Sequence, residues 1–110
     1  MTDLAKCLLV VTAEVDASVE AEWNRWYDDV HFPDVLACPG VRGGQRYISS
    51  GNAVEWDRAE RHEPASKVYT AIYELDSPAV VETKQFLAMR GWHHFAPRVR
   101  SLTRVVVAAG

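Results

Sequence analysis

The order of strand-like and helix-like patterns constrains this chain more than any other feature of its sequence. Apolar residues at helical spacing predict one helix over residues 17–31 and a second from Pro78 to about Arg90. Pro33 predicts a break or a new first turn after the first helix, followed by a short helical piece over residues 34–36. Runs rich in Val, Leu, Ile and Tyr predict four strands, over residues 4–14, 41–50, 67–75 and 100–109. The order β-α-β-β-α-β predicts an α+β, ferredoxin-like fold, in which a four-stranded antiparallel sheet carries two helices on one face.

The first and last predicted strands are apolar on both sides of the pleat, as the runs Cys7 to Val11 and Val105 to Ala109 show. An antiparallel sheet with one face in water alternates apolar and polar residues instead. Two helices cover only one face, and the chain offers no further helix for the other. We therefore expect the second face to pack against the same face of another copy, giving a homodimer with a two-fold axis.

The length, charge and cysteine content of the chain indicate how many domains it forms and which kinds of binding partner it lacks. The 110 residues suit one domain over residues 1–110, with residues 51–66 as a long charged connection or arm. The net charge of −3 comes without a basic stripe, which argues against a nucleic acid partner. No apolar run is long enough to span a bilayer, and the N-terminus lacks a signal-peptide pattern, so we expect no membrane partner. Cys7 and Cys38 imply no disulfide framework, which favours a reducing cytoplasm.

One stretch carries a resemblance to a known family. Residues 26–34 read WYDDVHFPD, and they are followed by Pro39-Gly40 and Arg46-Tyr47. The pattern W-Y-x-x-x-H-x-P-D, then P-G and R-Y, resembles the EthD-like members of the dimeric α+β barrel superfamily. The resemblance implies the same fold and dimer for the whole chain. It does not fix the reaction, because this superfamily includes isomerases, cyclases, cofactor-free monooxygenases, haem-degrading enzymes and accessory proteins.

Three polar residues of this stretch form a candidate catalytic group. Tyr27, His31 and Asp34 are spaced i, i+4 and i+7, so on a continuous helix they share one face beside the apolar stripe. His31 would act as general acid or base, Asp34 would orient its imidazole, and Tyr27 would polarise a substrate oxygen. The alternative is structural: His31 caps the end of its helix, Asp34 caps the next turn, and Pro33 interrupts the shared face.

A wider set of residues is a candidate for lining the substrate cavity. Most are aromatic and are equally well explained as core, Trp56 as the anchor of its own loop, and His93 as an exposed helix-end residue beside His94. Arg46 would anchor a carboxylate, although solvation at the surface is the simpler interpretation. The candidate substrate-binding residues are Trp23, Arg46, Tyr47, Trp56, Tyr69, Tyr73, Phe86, Trp92 and His93.

The sequence favours cofactor-independent chemistry. His31, His62, His93 and His94 show no metal-ligand spacing, and we find no glycine-rich phosphate loop, no GxSxG elbow and no Cys-His pair, so we expect no metal and no cofactor. We predict a lyase, isomerase or cyclase that acts by general acid–base catalysis. Its substrate would be a small, largely hydrophobic, oxygenated molecule, aromatic-derived or polyketide-like, bound in the barrel cavity.

Two other functions fit the same fold. The first is a cofactor-free or haem-dependent monooxygenase. The haem-degrading relatives rely on an Asn-Trp-His set, and Asn24 falls on the first helix rather than in the first strand, which counts against that branch. The second is a non-catalytic dimer that binds a small ligand or serves as an accessory protein.

Overall fold

A computed structural model describes residues 4–49, 52–53, 61–62 and 67–110. Four long antiparallel strands form one sheet in the order β2-β5-β1-β6, and the short β3 and β4 pair with each other as a separate ribbon. The sheet order and the helices on one face confirm the predicted ferredoxin-like α+β fold. The strands are β1 Cys7–Val15, β2 Val41–Ser49, β3 Asn52–Ala53, β4 Arg61–His62, β5 Val68–Leu75 and β6 Val99–Val107. Trp56 lies outside the described residues.

The first helical region changes type along its length. Helix α1 covers Glu20–Trp26, a π-helical turn covers Tyr27–His31, and α2 covers Phe32–Leu36. Helix α2 confirms the short helical piece predicted after Pro33, and the π turn joins it to α1. The Phe32 N–H donates to the Tyr27 carbonyl five residues earlier, which is the hydrogen-bond pattern of a π turn. Pro33 follows directly, and proline is tolerated there because it lies in the first turn of α2.

The second helical region is broken where one helix was predicted. A 3₁₀ helix covers Pro78–Glu82, and α3 covers Lys84–Met89. Thr83 divides them because its backbone is extended and its Oγ1 accepts a hydrogen bond from the Phe86 N–H at 3.3 Å, which caps α3. A further 3₁₀ helix, His93–Arg98, fills the predicted connection before β6. Among the described helices, none is long and apolar enough to cross a bilayer.

Alternation along the strands divides the sheet into two faces. On the helix-covered face, the β1 residues Cys7, Leu9 and Ala13 are buried. We call the other face the open face; it carries Val10 with its cross-strand neighbours Ile72 and Arg104. The open face is apolar but not uniformly so, since Arg104 stands between aliphatic residues. The described helices pack on the opposite face, so none of them supplies the cover predicted for this face.

Candidate active site

A cavity of about 540 Å³ lies between the helices and the helix-covered face of the sheet. Strand residues form its floor and helix residues its walls, and most of them are apolar. The sequence placed the substrate cavity inside the barrel of a dimer, but this cavity lies within one chain on the other face of the sheet. Its lining residues include Leu9, Val11, Tyr27, His31, Val35, Tyr73, Phe86, Trp92, Thr103 and Val105.

His31 forms part of the cavity wall and is only 8% exposed. Its imidazole stacks on the Trp26 indole with ring centroids 4.8 Å apart, and the edge of Tyr27 lies 4.9 Å away. Burial lowers the pKa of His31 to about 4, against the opposing charge of Asp34. The imidazole is therefore neutral at neutral pH. The interpretation that His31 caps its helix is wrong, because helical backbone continues to Leu36.

A pair of buried tyrosines lies beside His31 in the same cavity. The hydroxyls of Tyr27 and Tyr73 are 2.8 Å apart and share a hydrogen bond. Burial raises the pKa of both phenols, so both are protonated and can donate. Gly44 makes room for the Tyr73 ring, since a Cβ at that position would lie 2.6 Å from the ring. Tyr27, Tyr73 and His31 are neighbouring polar residues in the lining of the cavity, which also includes Thr103 and Arg90.

Asp34 does not complete the predicted catalytic group. It is exposed, and among the described residues no hydrogen bond is donated by the His31 imidazole to the Asp34 carboxylate. The π turn explains the difference, because its extra residue rotates the later positions relative to a continuous α-helix. Asp34 acts on His31 only through its charge, which raises the His31 pKa.

The simpler interpretation of the sequence, that Arg46 is solvated at the surface, is wrong. Arg46 points toward the helices, and its side chain is 17% exposed. Its guanidinium lies 4.1 Å from the centre of the Tyr27 ring and donates a 2.8 Å hydrogen bond to the Asn24 Oδ1. Tyr47, the next residue, is 53% exposed on the open face and is remote from the cavity.

The other candidate aromatic residues fall into two groups. Phe86 and Trp92 line the cavity, as predicted for substrate-binding residues. Trp23 and Tyr69 lie outside it: Trp23 is fully buried against Tyr27, and Tyr69 bonds to Asn24 at 3.0 Å. His93 is exposed beside the Trp26 ring and does not line the cavity.

Some cavity residues were missed by the sequence reasoning. Thr103 and Val105 of β6 line the floor, and strict alternation from either residue would have placed both on one face. Trp26 was assigned to the apolar stripe, but its stacking on His31 depends on the π turn, which the sequence does not signal. Within the described ranges, no cluster of three His, Cys, Asp or Glu side chains could hold a metal ion.

A second cleft, of about 430 Å³, lies at the opposite end of β1 and is strongly polar. Its charges are already paired: Arg98 bonds to Asp16 at 3.1 Å, and Lys67 bonds to Glu20 at 3.3 Å. This cleft lacks the neutral imidazole and apolar lining of the first. We therefore take the His31 cavity as the candidate active site.

Comparison with known proteins supports the fold. A family model described as "Domain of unknown function (DUF4286)" matches residues 6–90, and no curated protein matches the chain significantly. An EthD family protein of Bacillus halodurans is similar in structure, with TM-score 0.59, 12% identity, and coverage of 89% of this chain and 96% of that one. This similarity bears out the fold that the EthD-like resemblance of the sequence implies.

Two further solved structures share the architecture. HapK from Hahella chejuensis matches with TM-score 0.57 and 14% identity, covering 94% of this chain and 95% of that one. SnoaB, a cofactor-independent oxygenase from Streptomyces nogalater, matches with TM-score 0.53 and 14% identity, covering 96% of each chain. At such identities the likeness establishes the fold alone.

Proposed function

The chain belongs to the DUF4286 family, whose description names no activity, and we propose from its cavity that it is a cofactor-independent lyase, isomerase or cyclase. The substrate is a small, largely apolar molecule with a carbonyl or hydroxyl oxygen. The observation that carries the proposal is the neutral imidazole of His31 beside the Tyr27–Tyr73 hydroxyl pair in an apolar cavity. An enzymatic role is supported by one structural neighbour, SnoaB, which is described as a cofactor-independent oxygenase.

His31 is the proposed general base. Because its imidazole is neutral above about pH 5, it is already in the form that accepts a proton. It removes a proton from the carbon next to a substrate carbonyl, and the electrons of that C–H bond form an enolate. Transfer to a buried base is helped when the new imidazolium and the enolate form an ion pair in a dry site.

The tyrosine pair is the proposed binding site for the enolate oxygen. One hydroxyl donates to the substrate oxygen while the other donates to its neighbour, so the hydrogen bond within the pair supports the one to substrate. The proton on His31 then returns to a second carbon in an isomerisation. In a lyase the proton passes to a leaving group. In a cyclase the enolate carbon attacks a second carbonyl of the substrate, and the alkoxide formed there takes the proton from His31.

The test is exchange of a carbon-bound proton in a simple apolar ketone. We expect the protein to catalyse deuterium incorporation into β-tetralone in deuterated water, followed by proton NMR, at a rate that is flat above about pH 5. His31→Asn should slow exchange roughly 10²–10⁴-fold, the usual contribution of a general base. The matched control is His94→Asn, an exposed histidine outside the cavity lining.

Two results would contradict the proposal. Equal exchange rates for wild type and His31→Asn would remove His31 as the base. Tight binding of β-tetralone with no exchange in the wild type would favour the non-catalytic ligand-binding function instead.

A cofactor-free monooxygenase is the second candidate, favoured by the description of SnoaB. The first step is shared, because an electron-rich enolate or phenolate can react with O₂ once His31 has removed the proton. Oxygen uptake that depends on His31 would identify this branch, and exchange without uptake would exclude it. A haem-dependent version has less support, since Asn24 bonds to Tyr69 and Arg46 outside the cavity.

We also propose that the open face forms a homodimer in the cytoplasm. Its aliphatic residues include Ile72 at the centre and Leu102, which is 52% exposed in the single chain. The two cysteines are free and buried, which suits a reducing compartment. Light scattering should give a dimer for wild type and for the helix-surface control Ala88→Asp, and a monomer for Ile72→Asp. A monomeric wild type would contradict the proposal.

A further inference from the structure

Arg46 lies next to the proposed site but outside the main cavity. It projects from the helix-covered face of β2, opposite Ala71 of β5, and lines a small void with Trp23, Tyr27 and Tyr69 rather than the main cavity. Tyr27 lines both the small void and the main cavity, so it lies between the guanidinium and the cavity. Arg46 cannot serve as the substrate anchor that its sequence position suggested.

The guanidinium is held in one place by three kinds of contact. Its flat face lies over the Tyr27 ring, one terminal nitrogen donates to Asn24, and the other is paired with the Asp28 carboxylate. Arginine is suited to this arrangement because its planar fork bonds two acceptors while its face stacks on an aromatic ring. Both acceptors belong to α1 and the π turn, so Arg46 ties β2 to the helical segment that carries Tyr27 and His31.

The fixed charge of Arg46 acts on the two phenols and the imidazole of the site in the same sense. Arg46 lowers the pKa of Tyr27, Tyr73 and His31, although burial is the largest influence on each. Other charges face the same groups: Asp28 opposes Arg46 at Tyr27, Asp34 opposes it at His31, and His93 reinforces it at His31. A lower pKa makes a phenol a stronger hydrogen-bond donor to an anionic oxygen, and it keeps the imidazole neutral.

We propose that Arg46 is a positioning residue for the proposed reaction: it fixes the Tyr27 ring from outside the cavity and places a permanent positive charge behind the hydroxyl pair that receives the enolate oxygen. This rests on the proposed acid–base function. Arg46 touches no substrate. Its role is to hold the donor in place and to favour negative charge where the reaction creates it.

The first test needs no substrate. We expect Arg46→Met to raise the titration midpoint of the His31 imidazole, followed by heteronuclear NMR, and Arg46→Lys to keep it close to wild type because the charge is retained. The matched control is Arg42→Met, which removes an arginine from the same strand that is also paired with an aspartate, Asp76. An unchanged midpoint in Arg46→Met would overturn the proposal. A change in folding alone would lower the melting temperature without this pattern.

The second test uses β-tetralone exchange. Loss of the cation over the ring should reduce kcat roughly two- to thirtyfold in Arg46→Met, with KM little changed because Arg46 does not contact substrate. Arg46→Lys should recover part of the loss, since it restores charge but not the fork. A rise in KM at unchanged kcat would contradict the positioning role. Failure of the wild type to exchange would remove the proposed function, whereas the His31 titration separately decides whether Arg46 acts on the site.

Discussion

Leu9 and Val10 are neighbours on β1, yet they belong to different environments. Leu9 is 2% exposed, packs under the helices and forms part of the cavity floor. Val10 lies on the open face between Ile72 and Arg104, where no helix covers it. The helix-covered face holds the imidazole, the buried phenols and the cavity, whereas the open face carries aliphatic side chains such as Val10 and Ile72 together with Tyr47 and Arg104. The functions proposed above assign chemistry to one face and association to the other.

The largest effect that distinguishes the two faces should come from truncating these neighbours. Leu9→Ala should lower the free energy of unfolding by about 2–5 kcal/mol, because it leaves a hole in the core. Val10→Ala should cost about 1 kcal/mol or less when measured by urea denaturation at concentrations that keep the chain monomeric. Equal losses would mean that the two faces are packed alike within a single chain.

The second effect is a pH dependence of the free energy of unfolding that arises from His31 on the helix-covered face. Burial lowers the pKa of His31 from 6.5 to about 4. Between these values the unfolded chain binds a proton at His31 that the folded chain does not, so stability is lost as the pH falls through this window. We expect a loss of about 2–3 kcal/mol, allowing for partial access of water. Carboxylates titrate nearby, so the relevant measurement is the difference between the unfolding free energies of wild type and His31→Asn, which should stop changing with pH above about pH 7.5.

The fold and the two different faces of the sheet could largely be predicted from the sequence, whereas the contacts within the candidate site could not. Strand patterns predicted the fold because apolar alternation is local. The first and last strands are apolar on both faces, which predicted that the second face of the sheet packs against another surface. The π turn was not predictable, because no residue of YDDVH demands it, and it decides that His31 meets Trp26 and that Asp34 does not bond to His31. The buried place of Arg46 depends on Asn24 and Asp28 on another element.

The third effect uses two adjacent glycines of β2 that face opposite ways. A Cβ on Gly44 would lie 2.6 Å from the buried Tyr73 ring, whereas a Cβ on Gly43 would meet nothing within 4 Å. Gly44→Ala should therefore destabilise the fold by about 1–3 kcal/mol, the usual range for overpacking, and should slow exchange by displacing Tyr73. Gly43→Ala should be neutral or slightly stabilising in thermal unfolding. Similar losses in both would show that Tyr73 is not held against Gly44.

The smallest effect concerns neighbours on β6. The Trp92 indole N–H donates to Ser101 Oγ at 2.8 Å on the helix-covered face, and Leu102 points to the open face. Ser101→Ala should cost about 0.5–1 kcal/mol, because nearby water can replace the lost acceptor. It should also move the Trp92 indole resonance in NMR. Leu102→Ala should leave that resonance in place and weaken only association. Movement of the resonance in both variants would contradict the separation of the faces.

The claim that chemistry belongs to the helix-covered face is tested most directly by locating a bound ligand. We would add β-tetralone to isotope-labelled protein and follow the backbone and indole resonances by heteronuclear NMR. The account predicts changes at the Trp92 indole, His31 and Thr103, which line the cavity, with none at Ile72 or Leu8 of the open face. Changes centred on Ile72 and Leu8, with the Trp92 indole and His31 unmoved, would contradict it.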